Sequence, residues 1–130
     1  MPDYIAYQGD EYRIEFYYDE NGKSQSRDYM MEKFIGADAK KFQHLLVVMG
    51  DTGKIRNKEK FRNEGDKIYA FKPQPHRFLC FFFKGEKIII TNAFMKKQQK
   101  LPASEKSRAL KFKQDYESRI KKGTYYETGN

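Results

Sequence analysis

Three aromatic-rich segments follow one another with almost nothing between them: residues 67–72 (K-I-Y-A-F-K), 76–84 (H-R-F-L-C-F-F-F-K) and 87–94 (K-I-I-I-T-N-A-F). Runs of this length, rich in β-branched and aromatic side chains, are strand material. Gly85-Glu86 is short enough for a tight antiparallel hairpin between the second and third strands. Pro73 and Pro75 interrupt the ladder between the first and second and enforce a bend, because proline donates no hydrogen bond. A compact sheet is therefore the centre of whatever this chain forms, and the other segments must cover it.

Residues 12–18 (Y-R-I-E-F-Y-Y) alternate, with Tyr12, Ile14 and Phe16 on one face and Arg13 and Glu15 on the other, which reads as a half-buried strand. Asp19-Glu20-Asn21-Gly22 is a turn signal. From 28 to 49 the period lengthens: Met31, Ile35, Ala39, Phe42, Leu46 and Met49 form one apolar helical stripe. Gly36 weakens its middle by about 1 kcal/mol and is a point where it can split in two. Gly50 stands where a C-terminal cap is expected. Residues 51–66 read as a basic, polar connector. Ser104, just after Pro102, is the expected N-cap of a last helix, whose buried stripe is Ala109, Phe112, Tyr116 and Ile120. Residues from Thr124 onward read as a frayed tail. The expectation is one domain over 1–130, with its core at about 12–120 and a flexible tail at 121–130. The fold class is α+β: a small twisted antiparallel sheet, an N-terminal helix or helix pair on one face, and a C-terminal helix.

The charge is uneven. Residues 1–50 carry six Lys and Arg against nine Asp and Glu, residues 51–100 carry thirteen against five, and residues 101–130 carry seven against four. The middle third alone thus accounts for the net charge of +8. A local basic surface attracts a polyanion, either nucleic acid or an acidic protein. The single cysteine, Cys80, excludes an intramolecular disulfide and a Cys₄ or Cys₂His₂ zinc site. Flanked by Leu79 and Phe81, it reads as a small buried residue and not a nucleophile. Neither a secretory signal nor a membrane span is indicated, so a cytoplasmic location is expected.

The order of elements, with three stretches of sequence, resembles the RelE/ParE toxin superfamily of bacterial toxin–antitoxin modules, and within it the HigB-like, phage-derived branch. The stretches are Ile68-Tyr69-Ala70-Phe71-Lys72, then His76-Arg77-Phe78-Leu79-Cys80-Phe81-Phe82. The third is Asn92-Ala93-Phe94-Met95-Lys96-Lys97-Gln98-Gln99-Lys100-Leu101-Pro102, leading into the helix with Ser107-Arg108-Ala109. The likeness covers about 12–120 and is strongest over 67–119. It implies a toxin that cleaves mRNA in the ribosomal A site. It also implies a cognate antitoxin of helix-turn-helix type, which neutralises the toxin and carries the complex to operator DNA. One departure is visible: Ile68 and Ala70 stand where well-studied nuclease members carry basic residues.

Cleavage by attack of a 2′-hydroxyl needs a base, a cation against the pentavalent phosphate and an acid for the leaving oxygen, and it needs no metal or other cofactor. The catalytic candidates are Arg77, Lys72, His76 and Lys97. Arg77 offers a fixed, permanently charged fork for phosphate. Lys72 lies across the proline bend from it. His76 is a candidate base or acid from its ordinary pKa near 6.5. Lys96 and Lys100, with Tyr69, are candidates for holding RNA. Tyr116 could assist proton transfer, but its place in the helix stripe points to the core. Two other readings compete: a ParE-like gyrase inhibitor without nuclease chemistry, and a non-enzymatic RNA-binding phage accessory protein that stacks bases on Phe78, Phe81 and Phe83.

Overall fold

The computed structural model describes residues 4–33 and 36–126. The strands are β1 (Ile5–Gln8), β2 (Arg13–Phe16), β3 (Phe61–Asn63), β4 (Tyr69–Phe71), β5 (His76–Phe83) and β6 (Lys87–Met95); the helices are α1 (Gln25–Lys33), α2 (Ala37–Thr52) and α3 (Ala103–Lys122). The strands form one sheet in the order β1-β2-β6-β5-β4-β3. The α+β class is as expected, but the sheet is mixed. β2 lies parallel to β6, with Arg13 opposite Lys87 and Phe16 opposite Ile90, and every other pairing is antiparallel. After β2 the chain crosses through α1 and α2 to the far edge. It returns through β3, β4 and β5, so β6 arrives beside β2 running the same way. β1 and β3, of four and three residues, were too short to show a period in sequence.

The long helical stretch divides into α1 and α2 at Gly36, which has φ +64°. Ile35 of the expected stripe lies outside the described residues. Met31 leaves the stripe and is 61% exposed. α1 is held instead by Gln25, whose side-chain oxygen accepts from Ala93 N (2.7 Å) and whose amide donates to Ala93 O (2.8 Å). α2 buries Phe42, Leu45, Leu46 and Met49. It runs past Gly50 and ends at Gly53, which takes the left-handed conformation. Gly50 has a packing role: its carbonyl accepts from Glu11 N and Tyr12 N, and a Cβ on Gly9 would stand 2.1 Å from its carbonyl carbon. Ser104 is not the cap of α3. Pro102 occupies that position with φ −60° and ψ 132°, and its carbonyl accepts from Glu105 N and Lys106 N.

Both faces of the sheet are covered. On one, Ile14, Phe16, Phe71, Phe78, Cys80, Ile88 and Ile90 pack with the apolar stripe of α2. Phe42 stacks on Phe78 with ring centroids 4.0 Å apart. On the other, Ile68, Ala70, Leu79, Phe81 and Ile89 pack with Ala109 and Tyr116 of α3. Each large apolar side chain buried in this way contributes about 1.5–3 kcal/mol. The expected frayed tail is anchored as far as the described chain reaches. Tyr125 is 1% exposed and stacks on Tyr18, and Tyr126 donates to Glu15 Oε1 at 2.7 Å. Residues 127–130 of that expectation lie outside the described residues. Cys80 is buried, as expected, and burial raises its thiol pKa.

Two features set up one end of the sheet. Phe78 pairs with Ala93 while Cys80 pairs with Ile90, so β6 has one residue more than β5 over that interval. This bulge changes the phase of β6. It leaves Ala93 on the α1 side and Phe94 on the α3 side. The proline bend then ties three segments together: Lys72 N donates to Lys60 O, His76 N to Pro73 O and Lys96 N to Pro75 O, each at 2.8 Å.

Candidate functional site

Strand alternation sends the residues of β4 and β5 to opposite faces. Along β5, His76, Phe78 and Cys80 face the α1–α2 layer, whereas Arg77, Leu79 and Phe81 face α3. In β4 and its flanks, Tyr69 and Phe71 face the first layer and Ile68, Ala70 and Lys72 the second. The sequence-predicted candidates therefore separate into two groups.

Lys72, Arg77, Lys96, Lys97 and Lys100 come together around one open cleft of about 420 Å³, between the end of the sheet and the start of α3. The sequence reading missed three further residues there: Arg62, Glu64 and Lys106. Arg62 sits on β3 directly opposite Ala70. Thus a cation borders the place where the strand itself carries only Ala70. Phe94, re-aimed by the bulge, lines the same cleft.

The charges in this cleft are poorly compensated. Lys106 is paired with Asp66 at 2.8 Å. Among the described residues, Arg62, Lys72, Arg77, Lys96, Lys97 and Lys100 form no ion pair. Arg77 is 7% exposed, yet its guanidinium is held by neutral oxygens: Nη1 donates to His76 O at 2.9 Å and to Gln74 Oε1 at 3.1 Å. Burial lowers the pKa of Arg77, with the charge of Glu64 opposing it. Lys72 donates to Lys58 O at 3.1 Å. Burial lowers its pKa too, and the neighbouring charges of Arg77, Arg62 and Lys96 add to the effect against Glu64. Such a cluster favours any anion that enters.

His76 is not in this cleft. It is 2% exposed on the other face; its Nδ1 lies 2.7 Å from Tyr29 Oη and its Nε2 3.1 Å from Asp38 Oδ2. Its side chain therefore stitches α1 and α2 to the sheet, and only its backbone carbonyl reaches Arg77. Tyr69 also faces away, stacked on Phe61 at 5.7 Å and edge-on to Phe82 at 5.0 Å. Tyr116 is buried in the second core and bonded to Tyr126 at 2.6 Å. Phe78 and Phe81 are fully buried, and Phe83 packs edge-on against Tyr116 at 4.9 Å. Phe78 and Phe81 are thus core, and of the three residues in the base-stacking reading only the half-buried Phe83 keeps any surface.

No helix among the described residues is long and apolar enough to cross a membrane. Residues 30–114 match the family described as Phage derived protein Gp49-like. That match spans α2, the whole of β3 to β6 and the first half of α3, including every residue named in the cleft. A comparison with curated proteins found no match.

Proposed function

The chain belongs to the phage-derived Gp49-like family, in general a RelE/HigB-like toxin family, and we propose that it is the toxin of a type II toxin–antitoxin module that cleaves translated mRNA on the ribosome. The observation that carries this reading is the cleft itself: six cations without an ion pair among the described residues, two of them with pKa values lowered by burial. A phosphodiester is the ligand that this set of charges stabilises best.

In the proposed chemistry Arg77 faces the scissile phosphate and stabilises its pentavalent state. Its neutral oxygen partners fix the fork without neutralising it. Glu64, the one carboxylate lining the cleft among the described residues, takes the proton of the attacking 2′-hydroxyl. Lys72, whose proton is held less tightly than in an ordinary lysine, delivers one to the leaving 5′-oxygen. Lys96, Lys97, Lys100 and Arg62 hold the flanking backbone. His76, a candidate base or acid by its residue type, instead supports Arg77 through its backbone carbonyl. A cognate antitoxin restrains the activity, and an acidic segment laid over Arg77 and the lysines would compete with RNA directly.

Induction of the wild type and of an Arg77→Ala/Lys72→Ala variant in bacteria, with mRNA 5′ ends mapped and growth followed, tests the reading. Growth arrest with new cuts in translated mRNA, both lost in the variant, is the expected result. Arrest without cuts would point to the gyrase-inhibiting alternative. The absence of both arrest and cuts would sink the toxin reading.

A further inference from the structure

We propose that the groove between α2 and the turn after β4 is a second subsite on the same RNA path, taking the phosphates and a base that flank the scissile position; this rests on the reading of the cleft as an RNA site. The groove has a volume of about 510 Å³ and is bordered by Lys40, Lys41, His44, Lys60, Pro73 and Gln74. That volume falls in the range of roughly 300–1,000 Å³ typical of ligand sites.

Continuity is the first argument. Lys72 lines both the groove and the cleft. Gln74 lies at the join, since its side-chain oxygen accepts from Arg77 while its residue borders the groove. A strand leaving Arg77 over this lip meets Lys60 and then the lysines of α2.

Charge is the second. Lys40, Lys41 and Lys60 face one carboxylate in the lining, Glu59. Lys40 and Lys60 form no ion pair among the described residues. Lys41 lies 3.8 Å from Asp38, whose other oxygen lies 3.1 Å from His76 Nε2, and it reaches Gln74 O at 3.4 Å.

The third argument separates RNA from a peptide. A partner helix seated in a groove needs exposed apolar anchors to receive it. The exposed large apolar residues, Ile5, Met31, Met95, Leu110 and Tyr126, all lie elsewhere, and Leu45 in the groove is 4% exposed. Exposed His44 offers a flat ring for a base, with lysines around it for phosphate, while Pro73 is buried beneath the groove.

The test uses the purified full chain and 5′-labelled 2′-O-methyl oligoribonucleotides, which cannot be cleaved because the attacking hydroxyl is blocked. Affinities are measured for lengths of about four and about ten nucleotides over a salt series. The wild type is expected to bind the longer strand about tenfold more tightly than the shorter. Lys40→Gln/Lys41→Gln/Lys60→Gln, all at exposed positions, should remove that gain and leave the short strand within about twofold. Its salt slope for the long strand should be shallower by about 2, at ~0.7 per lost phosphate contact. A triple variant that keeps the length gain overturns the proposal. So does a groove that binds an acidic amphipathic peptide without competition from the long strand. The cleft is judged separately: if Arg77→Ala/Lys72→Ala leaves binding of the short strand unchanged, the cleft reading fails, whatever the groove does.

Discussion

Two arginines on the α3 side of the sheet, Arg77 on β5 and Arg119 on α3 beside the segment after β2, are almost equally buried. Arg77 is 7% exposed and Arg119 9%. Arg119 sits in a finished environment. Its Nε donates to Asp115 Oδ2 at 3.0 Å, its Nη2 donates to Tyr18 O, and its guanidinium lies 4.6 Å from the centre of the Tyr125 ring. Burial alone would lower its pKa, but the bonds to Asp115 and Tyr17 outweigh that and raise it. Arg77 has the burial without the carboxylate, and its pKa moves down. Removing a charge from water is costly unless a counter-charge replaces the water. At Arg119 the protein supplies that counter-charge, and the arginine fastens α3 and Tyr125 to the segment that follows β2. At Arg77 no carboxylate of the described residues lies within ion-pair distance, and Glu64 acts on it only from further away, which leaves room for an incoming anion.

The contrast predicts separable effects, and the largest belongs to the Arg119 end. Tyr125→Ala should lower stability by about 4 kcal/mol, because a fully buried aromatic leaves a cavity when truncated. Urea unfolding would measure it, and a loss below about 1 kcal/mol would mean that this end is frayed after all. Arg119→Ala should cost about 3 kcal/mol, since Asp115 and the carbonyl of Tyr18 lose their partner.

Arg77→Ala should behave in the opposite sense. Unfolding should move by less than about 1 kcal/mol, while mRNA cleavage falls at least about 100-fold, equivalent to roughly 2.7 kcal/mol of transition-state stabilisation. A stability loss like that of Arg119→Ala, with cleavage intact, would make the two arginines alike and remove the basis for the site. His76→Ala sharpens the same point from the other face. It should cost about 2 kcal/mol of stability by stranding Tyr29 and Asp38, with cleavage retained to within about tenfold. A much larger loss of cleavage in a stably folded variant would restore His76 to the chemistry.

The smallest expected effect is a pH dependence at Lys72. Its pKa in the folded protein lies below the ordinary 10.5, so the folded chain releases that proton at lower pH than the unfolded one. Between those two values the unfolded state holds more protons, and the contribution of Lys72 to stability rises with pH. RNA binding, which needs the charge, should weaken as pH rises through the same window. Affinity for a short oligonucleotide between about pH 7 and about pH 10 should show the fall, and Lys72→Arg should flatten it. A fall that persists unchanged in Lys72→Arg would assign the dependence to another group.

Much of this was readable in the chain because it is local. The aromatic and β-branched runs of residues 76–84 and 87–94, the helical stripe of Phe42, Leu46 and Met49, the break at Gly36 and the burial of Cys80 are each set by side chains within a few residues of one another. So is the concentration of lysine after β6. The strands of three and four residues at the sheet edges were not readable, because so short a run carries no period. Arg62 was hidden for that reason: in sequence it belongs to a polar connector, and only pairing with Ala70 brings it to the cleft. Tyr125 was hidden by its position five residues before the end of the sequence, where composition gives no sign of its packing partners Tyr17 and Tyr18.

Sequence alone determined the α+β class, the basic middle of the chain and the choice of Arg77, Lys72 and the lysines after β6 as the residues to watch. Tertiary structure decided which of the candidates share a surface. Adjacent residues on a strand point to opposite faces, so His76 and Arg77, neighbours in the chain, are separated by the sheet. Lys72, Arg77 and Lys100, spread over 29 positions, close around one cleft. Whether a buried charge is neutralised is likewise a long-range fact: it depends on which carboxylate the fold brings into contact, and for Arg77 it brings none within ion-pair distance among the described residues, Glu64 lying further off in the same cleft.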